Sequence, residues 1–216
     1  MRWPEEAEGF VLAGGKSSRM GQDKALIRFD GEPLILRALK QLQTVANTAR
    51  IAANRDDLEH FAPTIKDRWR DSGPLAGIHA ALFASAAEWN IFLPVDMPLL
   101  PTSFLQWMLN RVQQTGALAT VPTIAGIPQP LVAIYHRALL PDLEESLKSG
   151  ARKTINVIFT VAEKAAPPAQ PFDIFSVESV SASGQFSGIE TDLPLCEWFR
   201  NLNTPRDLDS CVPAHE

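Results

Sequence analysis

An α/β fold on a mainly parallel central sheet is predicted from three observations. Short apolar runs with strand character alternate with segments of helical periodicity along most of the chain. One such run ends in a glycine-rich basic loop and another in an aspartate–proline turn, the places where open α/β sheets carry ligands. The 216 residues, 45% of them hydrophobic, suffice for the core of one domain, or at most a domain with an appendage.

The strand-like runs are 9–13, 50–53, 91–95, 117–121 and 131–135, with a further short strand near Val157–Val161. Pro33–Val45 carries Leu36, Leu39 and Leu42 at helical spacing and reads as an amphipathic helix. Leu75–Ala87 is alanine-rich and helical. Ser103 and Gln106 have capping-box spacing ahead of a helix to about Gln114. Pro141–Lys148 is a short helix stopped by Gly150. From Ala162 to about Ser187 the pattern dissolves into Pro, Ala, Ser and Gly. The region 162–197 is therefore expected to be an irregular excursion, a candidate flap on a single 1–216 domain. Near the end, Thr204 is placed to cap a helix, with Pro205 at its first position and Asp207 where a capping carboxylate belongs.

Composition excludes several function classes. A net charge of −5 gives no general affinity for nucleic acid or an anionic membrane. No apolar run approaches the roughly 18 residues of a membrane span. The N-terminus, Met1-Arg-Trp-Pro-Glu-Glu-Ala-Glu, lacks the apolar centre of a signal peptide, so a cytoplasmic location is expected. Cys196 and Cys211 lack zinc-type spacing, and His60, His79, His136 and His215 are scattered. These placements argue against a zinc enzyme and against a Cys/His nucleophile pair.

The most informative stretch is Leu12-Ala-Gly-Gly-Lys-Ser-Ser-Arg-Met-Gly-Gln-Asp-Lys24. It follows the apolar run Phe10-Val11-Leu12 and holds Gly14, Gly15 and Gly21 with Lys16, Arg19 and Lys24. Glycine lets backbone N–H groups approach a ligand, a concave run of them binds phosphate oxygens, and the cations supply full charges. The loop is not Walker A, because Phe10 stands where that motif needs its first glycine. Nor does it match a G-x-G-x-x-G dinucleotide fingerprint. On spacing alone, a plain turn after a strand reads equally well.

The extended stretch Leu12–Leu26 resembles the N-terminal motif of the molybdenum cofactor guanylyltransferases, which have a three-layer, Rossmann-like nucleotidyltransferase fold. The resemblance covers about residues 10–160 and 198–209. It implies transfer of GMP from GTP to Mo-molybdopterin with release of pyrophosphate, dependent on Mg²⁺. It further implies transient contact with molybdopterin-delivering or molybdoenzyme partners. Leu12, Ala13, Gly14, Gly15 and Lys16 would hold the nucleotide phosphates. Arg19 and Lys24 would act in catalysis, and Lys24 would also touch the nucleotide.

Further motifs are weighed against the same resemblance. Ile91-Phe-Leu-Pro-Val-Asp96-Met-Pro ends an apolar strand in one carboxylate. Alone it reads as a turn or capping aspartate; the family's strand–Asp–x–Pro motif makes Asp96 the Mg²⁺ ligand and a catalytic residue. Gly73-Pro-Leu-Ala-Gly-Ile78 alone reads as a helix-starting turn; the resemblance makes Gly73 a nucleotide-binding residue, where glycine lets a ligand approach a helix N-terminus. In the family such a segment follows an aspartate that contacts guanine, a role whose spacing matches Asp67 better than Asp71. Ala52-Ala53-Asn54-Arg55 keeps the second asparagine of the family's Asn-x-Asn as Asn54 but has Ala52 at the first, which leaves the choice of nucleotide open. Gln129 lies in a Gln-Pro-Leu segment similar to one on the family's pterin side. Arg152 and Lys153 offer cations to a pterin phosphate. Asn201 and Asn203 match the family's Asn-x-Asn-Thr-Pro. A cytidylyltransferase, a sugar-phosphate nucleotidyltransferase and a non-catalytic GTP-binding module are the competing readings. Gly14-Gly15, where several relatives have Ala-Gly, favours the guanylyl branch.

Overall fold

The structure is a computed structural model that describes residues 7–14, 23–69, 72–151, 153–165, 171–186, 189, 191–202 and 207. Its centre is an eight-stranded sheet. The strands are β1 (Ala7–Leu12), β4 (Thr48–Ala52), β5 (Thr64–Ile65), β6 (Trp89–Pro94), β7 (Ala119–Ile124), β8 (Ile127–Pro128), β9 (Ala133–His136) and β10 (Phe172–Ser176). The order is β10-β7-β9-β6-β1-β4-β5, with β8 hairpinned onto β7. A two-stranded hairpin, β2 (Arg28–Phe29) and β3 (Glu32–Pro33), stands apart from it.

β1 pairs in parallel with β4 and β6, β4 with β5, and β10 with β7. β9 runs against both β6 and β7. The sheet is thus mainly parallel, as expected, with β9 reversed inside it. The reversal brings the start of β9 to the edge where β6 ends, since Ala133 faces Phe92.

Two helix layers cover the sheet. Helices α1 (Leu34–Val45) and α3 (Thr102–Thr115) lie on one face; α2 (Pro74–Ala84), α4 (Leu140–Lys148) and α5 (Thr154–Ala165) lie on the other. Alternation in β1 explains the division. Val11 joins the α1/α3 core with Leu39, Leu42 and Phe104, while Phe10 and Leu12 join Leu75, Ile78 and Tyr135 on the other side. Burial of β1 and β6 on both faces is why they read as near-continuous apolar runs. Among the described residues, no helix is long and apolar enough to cross a membrane.

Three expectations are corrected. Val157–Val161 is not a strand but the middle of α5. Val157, Ile158, Val161 and Ala162 are buried together, which is helical spacing that the local β-branched composition obscured. The excursion expected from Ala162 to Ser187 holds the end of α5, then β10 and α6 (Val177–Ala182). Beyond it lies the short helix α7 (Leu195–Trp198). This region packs aromatic side chains on α3: Phe175, Phe186, Trp198 and Phe199 surround Phe104 with centroids 5.6–6.4 Å away. Finally, α3 begins after Pro101 with no side-chain cap, so Ser103 lies inside the first turn and makes no capping box with Gln106. Proline at that boundary sets the start of the helix by its fixed φ. The helix expected to begin at Thr204 lies outside the described residues apart from Asp207.

Candidate active site

The carboxyl ends of β4, β1 and β6 meet at one point. Leu12 pairs with Ala52 on one side and Pro94 on the other. Just beyond, Val95 N–H donates to the Leu12 carbonyl at 3.1 Å and Ala13 N–H to the Ala52 carbonyl at 3.3 Å. Leu12 and Ala13 are buried, and the chain emerges at exposed Gly14. Among the described residues, a Cβ built on Gly14 would meet nothing within 4 Å.

Asp96 sits two residues past β6 at this edge. Lys24 Nζ donates to its Oδ2 at 3.2 Å, with side chains 27% and 20% exposed. The pair is therefore partly desolvated but reachable. Lys24 opens a single 3₁₀ turn, Lys24–Leu26, whose first N–H groups need a cap. Asp23 supplies it, its Oδ1 accepting from Ala25 N–H at 3.1 Å.

On the other side of β1, Asn54 follows β4 and its side-chain carbonyl accepts from Asp67 N–H at 2.9 Å. This bond brings two expected nucleotide residues together, with Asn54 holding the backbone of Asp67. The Asp67 carboxylate has no partner among the described residues. Ala52, where the resemblance expects an asparagine, is buried beneath α2 with Leu75 and Ile78 and contributes its backbone carbonyl. Gly73 precedes α2 with φ +61° and ψ −153°, a conformation that favours glycine.

The remaining expected residues are dispersed along the same edge. Leu202 N–H donates to the Asp96 carbonyl at 2.8 Å, which sets exposed Asn201 beside Asp96 while Leu202 turns inward. Gln129 lies in the turn between β8 and β9, its side chain donating to the Ile127 carbonyl at 3.2 Å. Lys153 is exposed at the start of α5. Phe159, in the middle of α5, lies against Phe172 at the start of β10. Gly15, Lys16, Arg19, Arg152 and Asn203 lie outside the described residues.

Sequence reasoning passed over one cluster. The Arg55 guanidinium meets the carboxylates of both Asp23 and Asp57, with Nε 3.1 Å from Asp57 Oδ1. Asp57, then Asp23, hold Arg55 protonated above the ordinary arginine range, and Arg55 holds the Asp57 carboxyl below its ordinary range. The signal was the cation directly after Asn54, in a segment where only the asparagine was weighed.

Residues 9–165 match the family described as the MobA-like NTP transferase domain. The chain belongs to the MobA-like NTP transferase family. Its relatives include proteins named molybdenum cofactor guanylyltransferase. That of Aliivibrio salmonicida is 36% identical over 159 residues, covering 72% of this chain and 81% of the relative. That of Vibrio cholerae is 33% identical over 216 residues, covering 98% and 94%. Among solved structures, molybdopterin-guanine dinucleotide biosynthesis protein A of Archaeoglobus fulgidus superposes with a TM-score of 0.70 at 24% identity, covering 94% of this chain and 95% of that one. A CMP:2-keto-3-deoxy-manno-octonic acid synthetase complexed with CTP reaches 0.62 at 14% identity, covering 85% and 100%. Both likenesses bear on the fold alone, and this MobA-like chain shares the Rossmann-like fold of those structures.

Proposed function

We propose that this chain is a molybdenum cofactor guanylyltransferase. It transfers GMP from GTP to the terminal phosphate of Mo-molybdopterin and releases pyrophosphate. The observation that carries the reading is the Lys24–Asp96 pair at the joined ends of β1 and β6, in a chain similar over nearly its whole length to relatives of that name.

The acceptor phosphate is itself a nucleophile at neutral pH, so the protein needs no serine, cysteine or strong base. Its task is positioning and charge neutralisation. The backbone of Leu12–Gly15, with Lys16 and Arg19, would hold the departing pyrophosphate. Lys24 would place its ammonium where charge builds on the transferring phosphorus. Asp67 offers acceptor oxygens to the N1–H and exocyclic amine of guanine, a donor pair that adenine lacks. Gln129, Arg152, Lys153, Asn201 and Asn203 would face the pterin substrate.

Asp96 fits Mg²⁺. This ion keeps several waters and takes one or two carboxylates together with substrate phosphates. A partly exposed carboxylate at the strand end, with one oxygen on the Lys24 ammonium, suits that mode. Bound there, the ion would polarise and neutralise phosphate oxygens. The reading implies a cytoplasmic enzyme with transient molybdopterin-delivering or molybdoenzyme partners.

Steady-state pyrophosphate release tests it. Release should require Mo-molybdopterin and Mg²⁺, stop with chelator, and be lost in Asp96→Ala. Asp67→Ala should raise the KM for GTP roughly tenfold; unchanged GTP affinity would remove Asp67 from the base site. GTP binding without release would replace the reading with a binding module.

A further inference from the structure

We propose that Arg55 is a positioning residue that fixes Lys24 by gripping Asp23, and so ties the phosphate side of the site to the base side. The inference rests on the reading of Lys24 and Asp96 given above.

Lys24 stands on a helix of one turn. Such a turn has almost no stability of its own, since fixing its backbone is repaid by very few hydrogen bonds. Ala25 anchors the turn in the core beneath α1, and the Asp23 carboxylate caps it, one oxygen taking the Ala25 N–H at 3.1 Å. The other oxygen meets the Arg55 guanidinium. The Arg55 contact on the second oxygen narrows the orientations from which Asp23 caps the turn.

Arg55 is suited to hold it. Its planar fork engages Asp57 through Nε, 3.1 Å from Oδ1, and through a second nitrogen on Oδ2 that also reaches Asp23. A guanidinium fastened at two points holds the second N–H of that shared nitrogen in a set direction, toward Asp23. A lysine ammonium is a point charge and cannot do this. At 22% exposure the Arg55 side chain is partly shielded from solvent screening.

The placement of Arg55 in the chain gives the contact its further consequence. Its neighbour Asn54 holds the backbone of Asp67. One short segment after β4 therefore anchors Asp67 on one side and the Lys24 turn on the other. Arg55 and Asp23 touch neither reacting phosphate in the proposed reaction; they act through Lys24. Displacement of a catalytic group by about 1 Å can cost about 100-fold in rate.

The test is a kinetic series on the full chain with GTP, Mg²⁺ and Mo-molybdopterin. Arg55→Ala should lower kcat roughly 10- to 100-fold while the KM for GTP stays within about threefold. Arg55→Lys should restore little of it. Asp23→Asn keeps an oxygen for the Ala25 N–H and removes the charge that Arg55 grips, so it carries the test if Arg55→Ala does not fold. It should lower kcat in the same sense, and the double variant should be no slower than the slower single. A crystal structure of Asp23→Asn should place Lys24 Nζ beyond hydrogen-bond reach of Asp96. Unchanged kcat in Arg55→Ala or Asp23→Asn, full rescue by Arg55→Lys, or multiplying losses in the double variant would overturn the proposal. Lys24→Ala in the same series separates the two levels. If it is slow and the Arg55 variants are not, only this inference falls; if it is as fast as the parent, the reading of the site falls first.

Discussion

The same substitution at two glycines should shift stability in opposite directions. Gly9 lies inside β1 where α1 crosses the sheet. A Cβ there would sit 2.9 Å from Leu42 Cβ, 3.3 Å from Leu42 Cδ1 and 3.3 Å from the Thr48 carbonyl. Carbon atoms pack best at about 3.5–4.0 Å, so α1 would have to lift by roughly 0.6–1 Å. Leu42 Cβ is fixed to the helix backbone and cannot rotate aside. Overpacking of this kind costs about 1–3 kcal/mol, offset by about 0.5–1 kcal/mol of reduced backbone entropy. At Gly77, inside α2, a Cβ would lie 3.5 Å from Leu12 Cδ2 and 4.0 Å from Ala52 Cβ, ordinary contact. Alanine there should gain about 0.4–1 kcal/mol. At about 2–4 °C per kcal/mol, a net loss of about 1–2 kcal/mol should make Gly9→Ala melt roughly 2–8 °C below the parent, and Gly77→Ala should melt roughly 1–4 °C above it. Differential scanning calorimetry, backed by urea titration with an unchanged m-value, reads both. Gly9→Ala melting at or above the parent would refute the packing of α1 on β1.

Three further outcomes are expected. Arg111 donates to both Asp173 oxygens at 2.6 and 2.8 Å, and Asp173 is 5% exposed; Arg111→Ala should lose about 3–5 kcal/mol in urea unfolding, while Arg111→Met with Asp173→Leu should recover most of it. Burial holds His79 below its ordinary pKa of 6.5, and His136 likewise, so the unfolded chain takes up protons that the folded chain refuses. Stability should therefore fall as pH drops below about 6.5, above the range where the carboxylates titrate, and His79→Leu should shrink the Tm difference between about pH 7.5 and pH 5.5; an undiminished difference would contradict this. Asn54→Ala removes the acceptor for Asp67 N–H and should raise the KM for GTP roughly 3- to 10-fold with kcat little changed in steady-state assays.

The parts of the fold readable in the sequence were those where one physical signal dominates. β1 and β6 are buried on both faces, and α1 shows a clean apolar stripe. β10 was hidden because its inward positions include Asp173, which is tolerable only because Arg111, distant in sequence, neutralises it across Trp107 and Phe175. α5 was misread because its valines and isoleucines favour strands locally, while burial in the tertiary structure decides for a helix. The hairpin of β2 and β3 was legible and passed over: Asp30-Gly31 has φ +49° and +77°, the two-residue turn that Asp-Gly favours. In the site, the strand-end positions Leu12, Ala13 and Asp96 follow from topology. The Asn54–Asp67 bond and the Arg55 grip join segments through side-chain geometry that spacing along the chain does not encode.

The most direct measurement is product labelling with GTP carrying ³²P at the α position, alongside CTP labelled in the same way. With Mo-molybdopterin and Mg²⁺, the α label should pass from GTP into the pterin product in amounts equal to the pyrophosphate released, with little transfer from CTP. Label entering the product from CTP in preference to GTP, or remaining wholly in bound GTP, would contradict the account.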